Sequence, residues 1–271
     1  MGHKEWVVAA AIGIVAFAAV DVAHEALGHG VAALLSSGVS ILSISTVALS
    51  TDATNPWIAL AGPALNVVLG VVTMIWFRRG AGFGPGAFFV WLFGVVNLLN
   101  GFGYGVYSGV LDFGDLAAAT RGLEPHVAWR IGMGMVGALG YYASLRVAAA
   151  ALAQRLRASG ISAGSLPSLL WPAYLAGSVL FVLGAALNPI PSLVLLSGVS
   201  GGFVCMAGLP AIAAMVQDDG LPIGATIGRA TAWLVGALVV LLVFVGVLGP
   251  GVRFGGHESI GSGTSTARAP K

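Results

Sequence analysis

Long apolar runs alternate with short polar links along most of this chain. A helix that crosses a membrane needs about 20 mostly apolar residues, and seven runs meet this length. The pattern predicts an all-α polytopic membrane protein with seven transmembrane helices, or six if one run is re-entrant. The predicted helices cover residues 6–35, 56–77, 86–110, 128–152, 169–187, 193–215 and 230–248.

Two segments depart from this pattern. Residues 39–45 alternate apolar and polar side chains, which predicts a short strand or hairpin at the membrane surface. Residues 250–271 are rich in Gly, Ser, Thr and Arg without an apolar period, which predicts a disordered tail. The chain therefore divides into a three-helix region (1–124), a four-helix membrane region (125–249) and the tail.

Composition agrees with a bilayer as the surroundings of this protein. Hydrophobic residues make up 58% of the chain and charged residues only 8%, whereas a soluble domain carries about 25% charged residues. So few charges cannot cover a soluble surface, and they provide no basic face for nucleic acid. The single cysteine, Cys205, excludes an intramolecular disulfide and a cysteine-based zinc cage.

The first apolar run contains a dense cluster of ionisable residues, namely Asp21, His24, Glu25 and His29. Each of them costs roughly 2.5–3.5 kcal/mol at a bilayer centre, so such residues usually pair, bind an ion or line a watery cavity. Two histidines and a neighbouring glutamate are the residue types that zinc hydrolases use at the metal. Imidazoles ligate the metal there, and the carboxylate takes a proton from water.

The spacing of the histidines is unusual for such a site. His24 and His29 are five residues apart, which is about 140° around an α-helix, so an ideal helix does not bring both to one ion. A π-bulge absorbs one extra residue, and Gly28 and Gly30 allow the helix to loosen. Alternatively, Glu25 and His29 are the ligand pair, with Asp21 on the same stripe.

The cluster also has two readings without a catalytic metal. The four side chains are able to form a buried hydrogen-bonded network that only fixes helix packing. They are equally suited to a proton or ion relay in a transporter. The cluster alone does not distinguish these two roles from a metal site.

Other segments supply polar residues at the same level. Counting crossings places the end of the third helix on the same side as His29, and this end leads to Asp112 and Asp115. The second helix begins with a Gly-Pro pair followed by Asn66, and the third helix carries Asn97 and Asn100. Glycines 101, 105 and 109, at four-residue spacing, predict a close-packing helix face.

These segments together resemble a known family. Residues 24–30 (HEALGHG), 61–66 (AGPALN) and 97–100 (NLLN), the last leading to a Gly-Asp, are similar to motifs of the site-2 protease family of intramembrane zinc metallopeptidases. The resemblance covers roughly residues 15–120. Two departures are one extra residue between the histidines and the segment 111–115 (LDFGD) in place of the family's usual Leu-Asp-Gly.

The resemblance implies a role for each matching residue. His24 and His29 would ligate Zn²⁺, and Glu25 would be the general base. Asp115 is the expected third protein ligand because it follows a glycine in the polar link, and Asp112 is the alternative. The resemblance also implies that three asparagines position the substrate strand: Asn66, Asn97 and Asn100.

The expected activity is that of a zinc metalloendopeptidase, which cleaves a membrane protein within or next to its transmembrane segment. The segment 39–45 is a candidate to pair with the extended substrate. The expected location is a bacterial cell membrane, with several crossings and no nucleic-acid partner. The alternatives are a non-catalytic relative that acts as a metal-binding partner or scaffold, and a proton- or ion-coupled transporter. The oligomeric state is not predicted.

Overall fold

The computed structural model describes residues 3–190, 192–217, 227 and 231–254. Helices make up 77% of the described residues, and seven helices among them are long and apolar enough to cross a membrane. The predicted all-α polytopic fold is therefore confirmed. The spans are Glu5–Leu35, Pro56–Arg79, Pro85–Leu111, His126–Ala158, Ala163–Ala186, Leu196–Met215 and Thr231–Leu248.

Within these spans, α-helical segments alternate with π-helical segments. The α-helices are α1 (His3–Val22), α2 (Val31–Leu35), α3 (Pro56–Arg79), α4 (Pro85–Leu111), α5 (Asp115–Thr120), α6 (His126–Ala158), α7 (Pro167–Ala186), α8 (Gly208–Met215) and α9 (Thr231–Val243). The π-helices are π1 (Ala23–Gly30), π2 (Val194–Val204) and π3 (Phe244–Leu248), and a short 3₁₀ turn covers Ala163–Ser165. The first span is thus α1, π1 and α2 in one continuous helix.

Helix α4 lies at the centre of the bundle, where it packs against α1, α3 and α6. The predicted glycine face is confirmed. A side chain at Gly101 would lie 2.9 Å from the carbonyl oxygen of Pro63 on α3, and one at Gly105 would meet the Met133 carbonyl on α6 at the same distance. Small residues let these backbones approach closely, so α4 is fixed on both sides.

Local sequence sets the ends of α3, which forms one wall of the site. The Asn55 side chain accepts a hydrogen bond from the Trp57 backbone N–H, and Pro56 occupies the first helical position. Both features favour a helix start. At the other end the Phe77 carbonyl oxygen accepts from the Gly80 backbone N–H and from the Arg155 guanidinium, the latter at 2.6 Å, and such bonds satisfy carbonyl groups in the last turn of a helix.

A small antiparallel sheet covers one end of the bundle. Its strands are β1 (Ile41–Ile44), β2 (Leu49–Thr51) and β3 (Val252–Arg253), in the order β2-β1-β3. The strand predicted within 39–45 is therefore confirmed as β1. One prediction needs correction, because the tail is not disordered from residue 250. Strand β3 pairs with β1, and residues 255–271 lie outside the described part of the chain.

Candidate metal centre

The π-helical segment π1 brings the two histidines of the first span together. In a π-helix each N–H bonds to a carbonyl five residues earlier, so residues five apart share one face. His24 and His29 accordingly place their Nε2 atoms 3.1 Å apart. The predicted π-bulge is thus confirmed, and it removes the geometric objection that an α-helical spacing raised.

A sharp turn after α4 adds an aspartate to this pair. Asp112 ends α4 in the left-handed region with φ 53°, and Gly114 follows with φ 86°. Only glycine adopts such a φ without strain, so the Gly114 position helps α5 to begin under the imidazoles. The Oδ2 atom of Asp115, the first residue of α5, lies 3.0 Å from His24 Nε2 and 3.4 Å from His29 Nε2.

The three donor atoms fit the coordination sphere of a tetrahedral zinc ion. Two donors that each lie about 2.0–2.1 Å from such an ion are about 3.3 Å apart. The separations among His24 Nε2, His29 Nε2 and Asp115 Oδ2 are 3.0, 3.1 and 3.4 Å. Imidazole nitrogens and a carboxylate oxygen are also donor types that zinc accepts.

A chain of buried amides determines which nitrogen of His24 carries its proton. The Asn97 amide N–H donates to the Phe93 carbonyl at 2.8 Å, so Asn97 presents its oxygen to Asn66 Nδ2 at 2.7 Å. Asn66 then presents its own oxygen to His24 Nδ1. Because that oxygen accepts, Nδ1 carries the proton and Nε2 of His24 keeps its lone pair.

The orientation of His29 is fixed in the same way by the backbone. Its Nδ1 lies 2.6 Å from the carbonyl oxygen of Ile58 on α3, and a carbonyl oxygen only accepts. In the neutral ring, the Nε2 atom of His29 therefore also presents a lone pair. Metal-ligating histidines characteristically donate their second N–H to a carbonyl or carboxylate group, and both histidines follow this pattern.

The result is a convergence of lone pairs with no donor among them. Two neutral imidazole nitrogens and a carboxylate oxygen face one another at about 3 Å, and this arrangement is repulsive without positive charge at its centre. Burial raises the pKa of Asp115, but once an Nε2 atom is protonated, the hydrogen bonds and positive charge of His24 and His29 outweigh burial and hold the pKa well below its usual range. The site therefore requires a cation, either a proton or a metal ion.

Glycines leave the space beside these nitrogens free. A Cβ atom at Gly62 would lie 2.5 Å from His29 Nε2 and 2.7 Å from His24 Nε2. A Cβ atom at Gly28 would lie 2.6 Å from the Gly62 Cα atom, so π1 and α3 touch through their backbones here. The Gly62 position thus decides whether the imidazoles converge.

Glu25 lies next to the three donors and is almost fully buried. Its Oε2 atom has no hydrogen-bond partner among the described residues. A carboxylate oxygen of Glu25 and the ring nitrogens of His24 and His29 lie within 4.8 Å of one another. Asp21 instead lines a separate cavity behind Glu25. His24 thus joins Glu25 and His29, and the alternative in which Glu25 is a ligand stays a prediction.

The alternative ligand Asp112 has a different environment. Its carboxylate lies 3.0 Å from Nε2 of His126 and 3.7 Å from Arg130 on α6. The hydrogen bond from His126, with the charges of His126 and Arg130, holds the pKa of Asp112 below its usual value. The structure thus brings Asp115, and not Asp112, to the two buried imidazoles.

The three asparagines do not share one place. Asn66 and Asn97 are fully buried, and both belong to the amide chain that orients His24. Their positions therefore differ from the substrate-lining positions that the resemblance implied, because their polar atoms are used inside the protein. Asn100 lines the cavity behind Glu25 together with Tyr104, whose ring stacks on His24 with a centroid distance of 5.1 Å.

An open cavity of about 320 Å³ leads from the sheet end of the bundle to the side chains of the candidate metal site. Glu25, His29 and Asp115 lie in its wall, beside the residues 47–49 of the hairpin and Arg121 of the α5 end. This outer cavity was not predicted from the sequence, since it forms only where the hairpin, α3 and α5 meet.

Comparison with family models, with curated protein sequences and with solved structures finds no match to this chain.

Proposed function

We propose that this membrane protein is a zinc metallopeptidase that hydrolyses peptide bonds within or next to the bilayer. The observation that carries the proposal is the convergence of His24 Nε2, His29 Nε2 and Asp115 Oδ2. All three present lone pairs, and their separations suit a tetrahedral zinc ion. The resemblance of the surrounding motifs to site-2 proteases supports the same function.

The protein's own residues supply the remaining parts of such a reaction. Zinc, when bound, would provide Lewis-acid chemistry for a carbonyl group and for water. Glu25 is positioned as the general base, since one of its carboxylate oxygens lies within 4.8 Å of the two ring nitrogens and its side chain borders the outer cavity. It would accept a proton from water and deliver it to the leaving amine nitrogen. Asn66 and the Ile58 carbonyl would hold both imidazoles in place.

The substrate we propose is a membrane-embedded chain in extended form. An intact helix hides its carbonyl groups in its own hydrogen bonds, so cleavage requires local unwinding. An extended substrate segment cannot pair with β1, because β2 and β3 already occupy both of its edges. We therefore propose a different strand of the sheet as its partner. The free edge near the site belongs to β2, and residues 47–49 with Thr51 line the outer cavity.

The decisive experiment compares Glu25→Gln with wild type in purified, zinc-loaded protein, using a model transmembrane substrate. We expect cleavage to fall by at least about 100-fold because the general base is lost, while bound zinc stays near one ion per chain. Glu124→Gln, an exposed carboxylate outside the outer cavity, is the matched control and should keep full activity. Undiminished cleavage by Glu25→Gln would sink the proposal.

A non-catalytic metal-binding role gives a different pattern in the same experiment. Wild type would then hold stoichiometric zinc and yet cleave none of a panel of transmembrane substrates. The proposed location in a bacterial cell membrane stays a prediction from the sequence. The seven apolar helices support a multi-pass membrane protein of any origin.

A further inference from the structure

A second, smaller cavity borders Glu25, which is the one wall residue that it shares with the outer cavity. It has a volume of about 30 Å³, which is room for one occupant of the size of a water molecule. Oxygen-bearing side chains from five segments surround it, namely Asp21 of α1, Glu25 of π1, Thr46 of the β1–β2 loop, Asn100 of α4 and Ser197 of π2. We refer to it as the inner cavity.

Two buried polar atoms in this wall have nothing to bind. Glu25 Oε2 and Thr46 Oγ1 are both without a hydrogen-bond partner among the described residues, and their side chains are 5% and 7% exposed. The backbone N–H of Thr46 donates to the Leu248 carbonyl at 3.2 Å, which fixes the loop in place. A buried polar group without a partner is costly, so an occupant that satisfies both atoms is expected.

The charged groups that line the inner cavity indicate what kind of occupant it binds. Asp21 and Glu25, which both belong to the first membrane-spanning helix, bring two carboxylates to the inner cavity. No lysine or arginine is among the residues that line this cavity. The ring nitrogens of His24 are already directed to Asn66 and to Asp115. Two carboxylates in a medium of low dielectric repel each other, and a proton or a metal cation relieves this repulsion, whereas a neutral water molecule does not.

The donor types and the helix geometry also favour a cation. Apart from the His24 ring, the polar groups of the wall are carboxylate, hydroxyl and amide groups, and hard cations prefer such oxygen ligands. One wall is π2, an irregular segment within the sixth span, and irregular helices in membranes commonly build cation sites. The volume excludes a cation that keeps its hydration shell.

We propose that the inner cavity binds one dehydrated sodium ion between the carboxylates of Asp21 and Glu25, with Thr46 Oγ1 as a further ligand. The site lies between π1 and π2, so the bound ion would connect Glu25 to the later helices. It does not depend on zinc binding or on peptide hydrolysis, although Glu25 lies in the walls of both cavities.

The test measures thermal unfolding of the purified, zinc-free protein in detergent at constant ionic strength, with NaCl replaced stepwise by choline chloride. A ligand that binds only the folded state raises Tm with its concentration, and we expect a rise of about 5 °C up to 300 mM sodium. Isothermal titration with NaCl should give one saturable site. Asp21→Asn and Thr46→Val should each weaken sodium binding at least about 10-fold.

Matched controls separate this effect from general changes in stability. Asp52→Asn removes an exposed carboxylate on the hairpin, and Thr73→Val removes a hydroxyl on α3 away from the inner cavity. Both should keep the full sodium response. An equal Tm in sodium and choline for wild type, or an undiminished response in Asp21→Asn, overturns the proposal. Stabilisation by calcium and not by sodium overturns it as well. Zinc content and proteolysis are measured separately and decide only the proposed function.

Discussion

Asp112 and Asp115 are three residues apart, and each has a carboxylate oxygen 3.0 Å from a histidine Nε2, but their surroundings differ. The Asp112–His126 pair is open to solvent, with side chains 39% and 34% exposed, and Arg130 is close by. At Asp115 two imidazoles converge, and these are only 4% and 7% exposed. Their second nitrogens are held by Asn66 and by Ile58.

The difference shows what separates a candidate metal site from a surface ion pair. An exposed pair in water contributes little, and no buried group in the described part of the chain hydrogen-bonds to the His126 ring. In the interior, fixed acceptors on both Nδ1 atoms hold a proton there, so the neutral imidazoles present Nε2 lone pairs to the carboxylate. Burial and orientation, rather than the presence of histidine and aspartate, therefore define the site.

The largest expected effect tests the two aspartates directly. Asp115→Asn should lower zinc affinity by more than about 100-fold, because it removes the anionic ligand and leaves only two imidazoles. Asp112→Asn should leave the affinity unchanged, since its carboxylate faces α6. Competition with a fluorescent zinc chelator measures both variants. Equal losses in the two would contradict the assignment.

A substitution at the helix contact should have the next largest effect. Gly62→Ala places a methyl group within 2.7 Å of both Nε2 atoms, so the imidazoles must turn or α3 must move away. Zinc affinity should fall at least about 10-fold, while circular dichroism shows unchanged helix content. Gly132→Ala on α6, where a Cβ would have open space, is the control. Wild-type zinc affinity in Gly62→Ala would refute the proposed ion position.

The amide chain behind His24 should matter less than the ligands. Asn66→Leu removes the acceptor on Nδ1, and loss of such an outer partner typically costs about 10–100-fold in metal affinity. Asn100→Leu should not change zinc affinity, because Asn100 lines the inner cavity and makes no described contact with the Nδ1 atoms. If the two variants bind zinc alike, the amide chain does not orient His24.

The smallest expected effect is on the pH dependence of stability at the exposed pair. The pKa of Asp112 is lowered in the folded protein, whereas an unfolded aspartate has a pKa of about 3.9. The unfolded state thus binds the proton first, and the stabilisation is present above about pH 4 and lost as pH falls through the folded pKa. Asp112→Asn should lower Tm by about 1 °C at pH 7 and by progressively less as pH falls below about 4. A constant difference across this range would contradict the assignment.

The sequence by itself determined the membrane fold and the chemistry on offer. Runs of about 20 apolar residues can satisfy their backbone groups in a bilayer only as helices, so the seven spans follow from length and hydropathy. The rarity of charges made the cluster at 21–29 stand out, and the five-residue histidine spacing already required a local departure from α-helix. The departure observed is π1.

Tertiary structure decided what the sequence left open. The choice of Asp115 over Asp112 depends on the turn at Asp112 and Gly114, which directs one carboxylate inward and the other toward α6. The roles of Asn66 and Gly62 appear only when α3 packs against π1, and both cavities form between segments that are distant in the chain. A sequence pattern fixes which face a residue occupies within its own helix, but distances between helices follow from packing.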